Sequence, residues 1–226
     1  MAFEGFGSAT LDFLSDLADH NDRDWFAENR GRYERVLLGP EKEFVETLGI
    51  EFAAFDPRVR AAPAINGSIF RINRDIRFAR DKSPYKTYAD LWFWIGEDRK
   101  TAMGYFVRMI PGEVWVGGGT HQMTDEQTTR YRRAVVSAQA GGRLVEIVEA
   151  LRADGLEVDG EQSKRLPAGF TAEGARADLL RYKWLHSMDK VTPPPAEFDG
   201  PEFVQWCMRE FARVRPLVDW LAETIL

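Results

Sequence analysis

The spacing of apolar residues predicts three helices in the first quarter of the chain. Apolar side chains recur three and four positions apart over residues 11–17 and again over residues 25–37, as on one face of a helix. Asn21-Asp22 supplies a capping residue before the second helix, and Gly39-Pro40 is expected to end it. A third helix is predicted from Pro40 to Phe55, because proline suits a first helical position.

The period of the pattern then changes from that of a helix to that of a strand. From Phe70 to Phe78, apolar residues alternate with charged or polar ones, which predicts a strand with one apolar and one charged face. Arg74 falls in phase with the apolar residues, so either a bulge turns it outward or it is partly buried and paired with Asp75 or Asp81. Residues 80–84 are rich in turn formers and are predicted to be a turn.

Three further strands are predicted, joined by short polar turns. Alternation marks Leu91 to Ile95, Met103 to Ile110 and Val114 to Val116. Pro111-Gly112 is a suitable turn between the last two of them. Connections this short leave no room for a crossover helix, so the strands are expected to form an antiparallel meander.

The rest of the chain has mainly helical spacing. Thr124 and Gln127 stand three residues apart as in a capping box, so a helix is predicted to begin there, and Gly141-Gly142 is expected to end it. A last helix carries apolar residues from Phe203 to Leu221. The predicted fold is α+β: an antiparallel meander sheet of about four to six strands, flanked by N-terminal and C-terminal helices. We expect one domain over residues 1–226, with helices at about 8–56, the sheet at about 64–120 and a C-terminal helical part at about 124–226.

Composition narrows the class of protein without naming an activity. Of the 226 residues, 44% are hydrophobic and 29% are charged, which is a globular balance, and the formal net charge is −6. An acidic chain is a poor non-specific ligand for nucleic acids or anionic membranes, so neither is expected as a partner. No apolar run approaches ~20 residues and no secretory signal is recognised, so a cytoplasmic location is expected.

Cysteine and histidine give little indication of a site. The single cysteine, Cys207, excludes an intramolecular disulfide and is expected to be a buried, inert thiol. His20, His121 and His186 lack metal-ligand spacing, so no metal site is predicted, and no motif indicates a cofactor. His121 follows three glycines at 117–119 whose N–H groups would suit an anion, although a bulge or a sharp exit from the sheet also accounts for them.

Residues 70–87, named here the basic segment, carry the strongest chemical signal. Guanidinium groups match the oxygens of carboxylates and phosphates, lysines add point charges, and Tyr85 supplies a ring or a hydroxyl. The alternative is a network of ion pairs satisfied within the protein, in which the two acids neutralise neighbouring arginines. The charged residues of the segment are Arg71, Arg74, Arg77, Arg80, Lys82 and Lys86, with Asp75 and Asp81.

Several motifs resemble the family known as domain of unknown function 2461, whose bacterial and fungal members have no characterised activity. FRINRDIRF at residues 70–78 and DKSPYKT at residues 81–87 look like its hallmark, and the resemblance extends over nearly the whole chain. Ala79-Arg80 stands where many members carry Ser-Lys. Residues 164–170 and 179–183 are similar to the C-terminal basic motif of the family. This resemblance adds a second basic group that is expected to converge on the first: Lys164, Arg165, Arg181 and Lys183.

Three functions are compatible with these residues. The leading hypothesis is a protein that binds an anionic or phosphorylated small molecule on a basic face of the sheet, with catalysis left open. The competing hypothesis is a non-catalytic module that docks an acidic protein partner. Single-stranded nucleic-acid binding ranks third, since its aromatic residues would have to stack bases rather than form core. The candidate ligand-binding residues are Arg71, Arg74, Asp75, Arg77, Asp81, Lys82, Tyr85, Lys86, His121, Lys164, Arg165, Arg181 and Lys183.

Overall fold

The N-terminal part of the chain is helical, as predicted. The structure is a computed structural model that describes residues 2–226. The Asp22 side chain caps the second helix by accepting a hydrogen bond from the Trp25 N–H at 2.8 Å. The helices are α1 (Ser8–Asp19), α2 (Arg23–Tyr33) and α3 (Gly39–Phe55), with a π-helical turn (Glu34–Leu38) between the last two.

The predicted boundary between helices at Gly39-Pro40 is confirmed, since α3 begins at Gly39, but the backbone does not leave the helical region there. The backbone stays helical through both residues, and the Gly39 N–H bonds to the carbonyl of Glu34, five residues back, which makes the π-helical turn. Pro40 has no N–H to give to the Val36 carbonyl four residues earlier. The buried Thr10 hydroxyl of α1 lies 2.7 Å from that carbonyl and donates to it instead. A side chain distant in sequence therefore lets the helical run pass through a proline.

The strands confirm the predicted α+β class, with an antiparallel sheet that N-terminal and C-terminal helices flank. Within the described residues six strands pair in the order β1-β2-β3-β4-β6-β5. β1 to β4 follow one another as a meander, and β6 lies between β4 and the edge strand β5. The strands are β1 (Val59–Arg60), β2 (Ala89–Ile95), β3 (Met103–Ile110), β4 (Glu113–Thr120), β5 (Glu157–Asp159) and β6 (His186–Val191).

The predicted strand from Phe70 to Phe78 is wrong, because the basic segment is an irregular loop that folds back on itself. Within it, an isolated bridge pairs Asn73 with Tyr85 in place of a continuous ladder. The Asp75 and Asp81 side chains accept hydrogen bonds from backbone N–H groups two residues ahead, at 3.3 and 2.9 Å. Such local turns compete with a ladder for backbone donors, so the alternation of residue types does not produce a strand.

The predicted capping box is confirmed at the start of α4, but the predicted break at Gly141-Gly142 is wrong. The helical run is interrupted at Ser137, whose hydroxyl caps the next helix. Gly141 lies inside that helix, where a Cβ atom would come within 2.0 Å of the Val135 carbonyl. Gly141 is therefore a position where another backbone segment comes close, and not the end of a helix. The helices of this part are α4 (Asp125–Val136), α5 (Ala138–Ala153), α6 (Ala175–Leu179) and α7 (Phe203–Ile225).

The glycines at 117–119 lie within β4, and the predicted bulge or exit from the sheet is wrong. All three are buried. A Cβ atom on Gly117 would lie 2.2 Å from the carbonyl of Ser187, and one on Gly119 would lie 2.4 Å from that of Leu185. The glycines therefore allow the close approach of neighbouring backbone.

The chain divides into two compact units, each assembled from three stretches of sequence. Unit 1 contains the residues up to Phe93 together with 106–115 and 190–208, and unit 2 contains 94–105, 116–189 and 209–226. In unit 2, the Tyr131 and Trp220 rings meet edge to face. No helix among residues 2–226 is long and apolar enough to cross a membrane. The core of unit 1 includes a cluster of aromatic rings from Phe3, Phe6, Phe44, Phe198 and Phe203.

Candidate anion site

The basic segment is held by a residue between α1 and α2. Asn21 Nδ2 donates to the Tyr85 carbonyl and the Tyr85 N–H donates to Asn21 Oδ1, both at 3.0 Å. The Tyr85 ring is buried and stacks on Phe26, with ring centroids 4.2 Å apart. Tyr85 thus anchors the segment, and its ring faces are not open for stacking on a ligand or a base.

Two arginines of the segment bind acids of the same segment. Arg77 forms a bidentate pair with Asp75 at 2.9 and 2.6 Å, and Arg74 Nη1 lies 2.5 Å from Asp81 Oδ2. The hydrogen bond from the Arg77 side chain lowers the pKa of Asp75 to about 2. Hydrogen bonds from the Ser83 hydroxyl and N–H, and then from Arg74, hold the pKa of Asp81 well below its usual range. This geometry fits the ion-pair alternative for these two arginines.

The other cations of the segment differ in their surroundings. Arg71 is exposed and forms no hydrogen bond or ion pair with any residue of the described chain. Lys86 Nζ lies 3.9 Å from Asp90 Oδ2, which is a loose ion pair. Lys82, by contrast, donates to a backbone carbonyl of the segment at 2.9 Å, so its ammonium group stabilises the loop. Among the cations that line a crevice in unit 1, Arg71 is therefore the one best able to accept an external anion, with Lys86 as its neighbour.

Arg71 and Lys86 line the same narrow crevice in unit 1. The crevice has room for about one water molecule, so a larger anion would insert one oxygen and keep its remaining atoms at the mouth. The polar residues that line it are Arg71, Lys86, Tyr33, Glu41, Tyr88 and Asp90.

Asp90 pairs mainly with Arg108 and only loosely with Lys86. Arg108 reaches across from β3 to β2 and binds both oxygens of the Asp90 carboxylate, at 2.6 and 3.1 Å. Although burial lowers the pKa of Arg108, these hydrogen bonds raise it overall. The Arg108 guanidinium also lies 4.3 Å from the centroid of the Tyr88 ring, while Lys86 Nζ lies 5.0 Å from that of Phe70. Asp90 therefore has a closer cation than Lys86.

Glu41 is the most unusual residue of the crevice. It is only 3% exposed, yet it forms no hydrogen bond or ion pair with any residue that the structure describes. Burial and then the Asp90 carboxylate raise the pKa of Glu41 well above its usual value, while Lys86 lowers it. Burial, followed by Glu41 itself, also raises the pKa of Tyr33. Glu41 therefore keeps its proton at higher pH than an exposed glutamate and can donate an O–H into the crevice.

The second basic group belongs to unit 2. Its lysine at 183 pairs with Glu161, and the Nε atom of Arg181 is buried without a hydrogen bond in the described structure. Three other candidates are exposed on the surface. Because the basic segment lies in unit 1, convergence of the two groups stays a prediction. The candidate residues in unit 2 are His121, Lys164, Arg165, Arg181 and Lys183.

Sequence reasoning missed four residues around the crevice, one of which had a readable signal. Glu41 falls in phase with the apolar stripe of α3, Phe44 to Phe52, so its spacing alone predicted burial of a carboxyl group. Asp90 and Arg108 are paired by the register of β2 and β3, which the sequence does not reveal. Tyr33 gave no distinct signal.

The comparisons with known proteins identify a family and no activity. No curated protein and no solved structure matches this chain. Within residues 2–226, no group of three or more His, Cys, Asp or Glu side chains is arranged to hold a metal ion. The family described as conserved hypothetical protein (DUF2461) matches residues 9–220, nearly the whole chain, and the protein therefore belongs to that family.

Proposed function

We propose that this protein binds an anionic small molecule, such as a phosphate ester or a carboxylate, at the crevice of unit 1. The observation that carries the proposal is Arg71, an exposed guanidinium at the crevice that forms no hydrogen bond or ion pair with the described residues. Lys86 lines the same crevice and adds a second positive charge. A guanidinium group beside an ammonium group is a common way to hold the oxygens of a phosphate or a carboxylate.

The net charge of the protein does not oppose this site. The basic segment carries six bases and two acids, whereas the whole chain has a net charge of −6. Salt screens exposed charges beyond about 8 Å at physiological ionic strength, so the local surplus decides the potential at the crevice mouth. A small anion at Arg71 therefore meets a positive field despite the acidic total.

The candidate residues of the segment divide into two roles. Arg71 and Lys86 contact the anion. Tyr85 and the two internal ion pairs keep the loop folded, so that these two cations stay beside the crevice. The residues with this positioning role are Arg74, Asp75, Arg77, Asp81, Lys82 and Tyr85.

A thermal-shift experiment with a matched control tests the proposal. Inorganic phosphate, a phosphate monoester and a dicarboxylate are titrated against the wild type, Arg71→Ala and Arg30→Ala. Arg30 is also exposed but pairs with Glu34 on a helix surface. A ligand at a hundred times its Kd adds about 2.7 kcal/mol, or about 5–10 °C in Tm for a chain of this size. We expect that shift in the wild type and Arg30→Ala but not in Arg71→Ala, and an equal shift in all three would overturn the site.

A second candidate function is docking of an acidic protein partner on the tip of the basic segment. Phe78 is 97% exposed, and the Arg77 guanidinium lies 6.0 Å from its ring centroid. Arg80 and Lys82 are exposed nearby in sequence. An apolar side chain among cations suits a peptide with both acidic and apolar residues. Anisotropy of a labelled acidic peptide containing leucine tests it: Phe78→Ser should abolish binding, and equal binding by this variant and the wild type would refute the docking role.

A further inference from the structure

We propose that Glu41, in its protonated form, is a ligand-binding residue of the crevice and donates its O–H to an oxygen of the bound anion. The inference rests on the proposed anion site and names its ligand class more closely. The ligand would be an oxyanion, with a phosphate, sulfate or carboxylate oxygen inside the crevice and further oxygens at Arg71 and Lys86. A halide, which is a single atom, could accept the Glu41 proton but could not also place further oxygens at Arg71 and Lys86.

The geometry of Glu41 points to an acceptor that comes from outside the chain. The residue as a whole is 3% exposed and lines the crevice, but no described residue forms a hydrogen bond or ion pair with its carboxyl group. Buried polar groups without partners are rare in folded proteins because their desolvation is uncompensated. An oxygen atom that enters the crevice would supply the missing acceptor and would occupy the space of about one water molecule.

The charges around Glu41 are arranged so that an anion binds well only when Glu41 is protonated. Lys86 and Arg71 are the cations of the crevice, while Asp90 is an acid already bound to Arg108. Tyr33 and Tyr88 are the other titratable residues of the crevice, and burial raises the pKa of Tyr33, so that this phenol stays uncharged. If Glu41 were ionised, it would add a second carboxylate beside Asp90 and repel the anion. With its proton in place, the positive charges prevail and the carboxyl group is a hydrogen-bond donor.

The inference therefore predicts how anion affinity varies with pH. Burial and Asp90 raise the pKa of Glu41, so the protonated form persists well above pH 4.5. Affinity should be highest below that raised pKa and should fall as pH increases through it. If only the protonated form binds, the fall approaches about tenfold per pH unit.

A structural role for Glu41 gives different results. In that case a single water molecule in the crevice accepts the Glu41 proton, and the anion binds at the mouth through Arg71 and Lys86 alone. Sulfate affinity would then vary little with Glu41 protonation. The comparison of Glu41→Gln with the wild type separates the two cases, because glutamine keeps an N–H donor and does not titrate.

Calorimetric titration with sulfate, whose charge is constant between pH 5 and pH 9, tests the inference. The proteins are the wild type, Glu41→Gln and Glu46→Gln, an exposed control on the same helix. We expect the affinity of the wild type and Glu46→Gln to fall at least tenfold from pH 5 to pH 9, and that of Glu41→Gln to stay within about twofold. Sodium chloride at matched ionic strength, tested separately, should bind less tightly than sulfate at pH 5.

The outcomes distinguish this inference from the proposed function. Sulfate binding that depends on Arg71 but is equal at pH 5 and pH 9 in the wild type would overturn the role of Glu41 and leave the anion site intact. An equal decline in the wild type and Glu41→Gln would assign the titration to another group and would also overturn it. No sulfate binding at any pH would refute both proposals. Should Glu41→Gln fail to fold, a wild-type affinity that is equal at pH 5 and pH 9 still overturns the role of Glu41.

Discussion

The acids of unit 1 have different environments, and these differences define the candidate site. Asp90 is partly buried and accepts two hydrogen bonds from Arg108. Asp75 lies on the surface, where the Arg77 fork keeps its pKa near 2. Glu41 is buried beside these charges without a hydrogen bond of its own among the described residues. A buried acid in a crevice whose pKa is raised by burial and by a neighbouring carboxylate, as for Glu41, is a common feature of functional sites.

The first prediction concerns Glu41 and stability. Its pKa is raised in the folded state, so between pH 4.5 and that raised pKa the folded protein binds more protons than the unfolded chain. The stabilisation that comes from the Glu41 proton is fully present below the pKa of Glu41 in the unfolded chain. It is lost as the pH rises through the pKa of Glu41 in the folded protein. Glu41→Gln does not titrate, so its free energy of unfolding relative to the wild type should increase with pH, by up to about 1.4 kcal/mol per unit.

Urea unfolding at pH 5, 7 and 9 measures this difference without a ligand. Glu46→Gln serves as the control, because Glu46 is exposed on α3, the helix that also carries Glu41. The free energy of unfolding of this control should equal that of the wild type at each pH. A difference between Glu41→Gln and the wild type that stays constant from pH 5 to pH 9 would show that Glu41 has an ordinary pKa in the folded protein.

At the scale of elements, the helical run through Pro40 depends on Thr10. Its hydroxyl oxygen lies 2.7 Å from the carbonyls of both Phe6 and Val36, and the residue is fully buried. Thr10→Val keeps the shape but leaves buried carbonyls without this donor, so we expect a loss of about 1–3 kcal/mol in the free energy of unfolding. Thr10→Ser, which keeps the hydroxyl, should recover most of the loss that comes from the hydrogen bond. Equal stability of Thr10→Val and the wild type in urea would contradict this role.

The fold of the basic segment is predicted to depend on Asn21. The Asn21 side chain makes two hydrogen bonds with the backbone of Tyr85, at 3.0 Å each. Asn21→Ala removes both, and we expect a loss of about 1–3 kcal/mol together with faster hydrogen exchange of the Tyr85 amide. Anion affinity at Arg71 should also fall, because the loop that carries Arg71 loses its anchor. Unchanged exchange at Tyr85 would show that the stacking on Phe26 alone holds the segment.

The contacts of Thr10 and Asn21 distinguish the elements that the sequence does not predict from those that it predicts well. β2, β3 and β4 follow from local alternation and from turn residues such as Pro111-Gly112, and α4 follows from its capping box, so neighbouring residues contain the needed information. The loop at residues 70–87 and the π-helical turn depend on Asn21 and Thr10, which act over 64 and 26 positions of sequence. Glu41 is an intermediate case. Its helical spacing indicates that it is buried but does not indicate that Asp90 and Lys86 lie near it.

At the scale of the whole molecule, four strands and α7 contribute residues to both compact units. The boundary between unit 1 and unit 2 falls after Phe93 in β2, Tyr105 in β3, Trp115 in β4, Asp189 in β6 and Met208 in α7. A boundary inside a hydrogen-bonded strand differs from the flexible linkers that usually separate independent domains. We therefore propose that the chain unfolds as one cooperative domain, in agreement with the expectation from its sequence.

Two matched variants test this proposal, one in each unit. Thr10→Val removes a buried hydrogen bond in unit 1, and Tyr131→Phe removes the bond from the Tyr131 hydroxyl to the Leu179 carbonyl, 2.9 Å long, in unit 2. Each should cost about 1–3 kcal/mol. If unfolding is two-state, each variant shifts one common transition, with calorimetric and van't Hoff enthalpies that agree. Two transitions, of which Thr10→Val moves one and Tyr131→Phe moves the other, would show that the units unfold independently and that an anion at the crevice stabilises unit 1 alone.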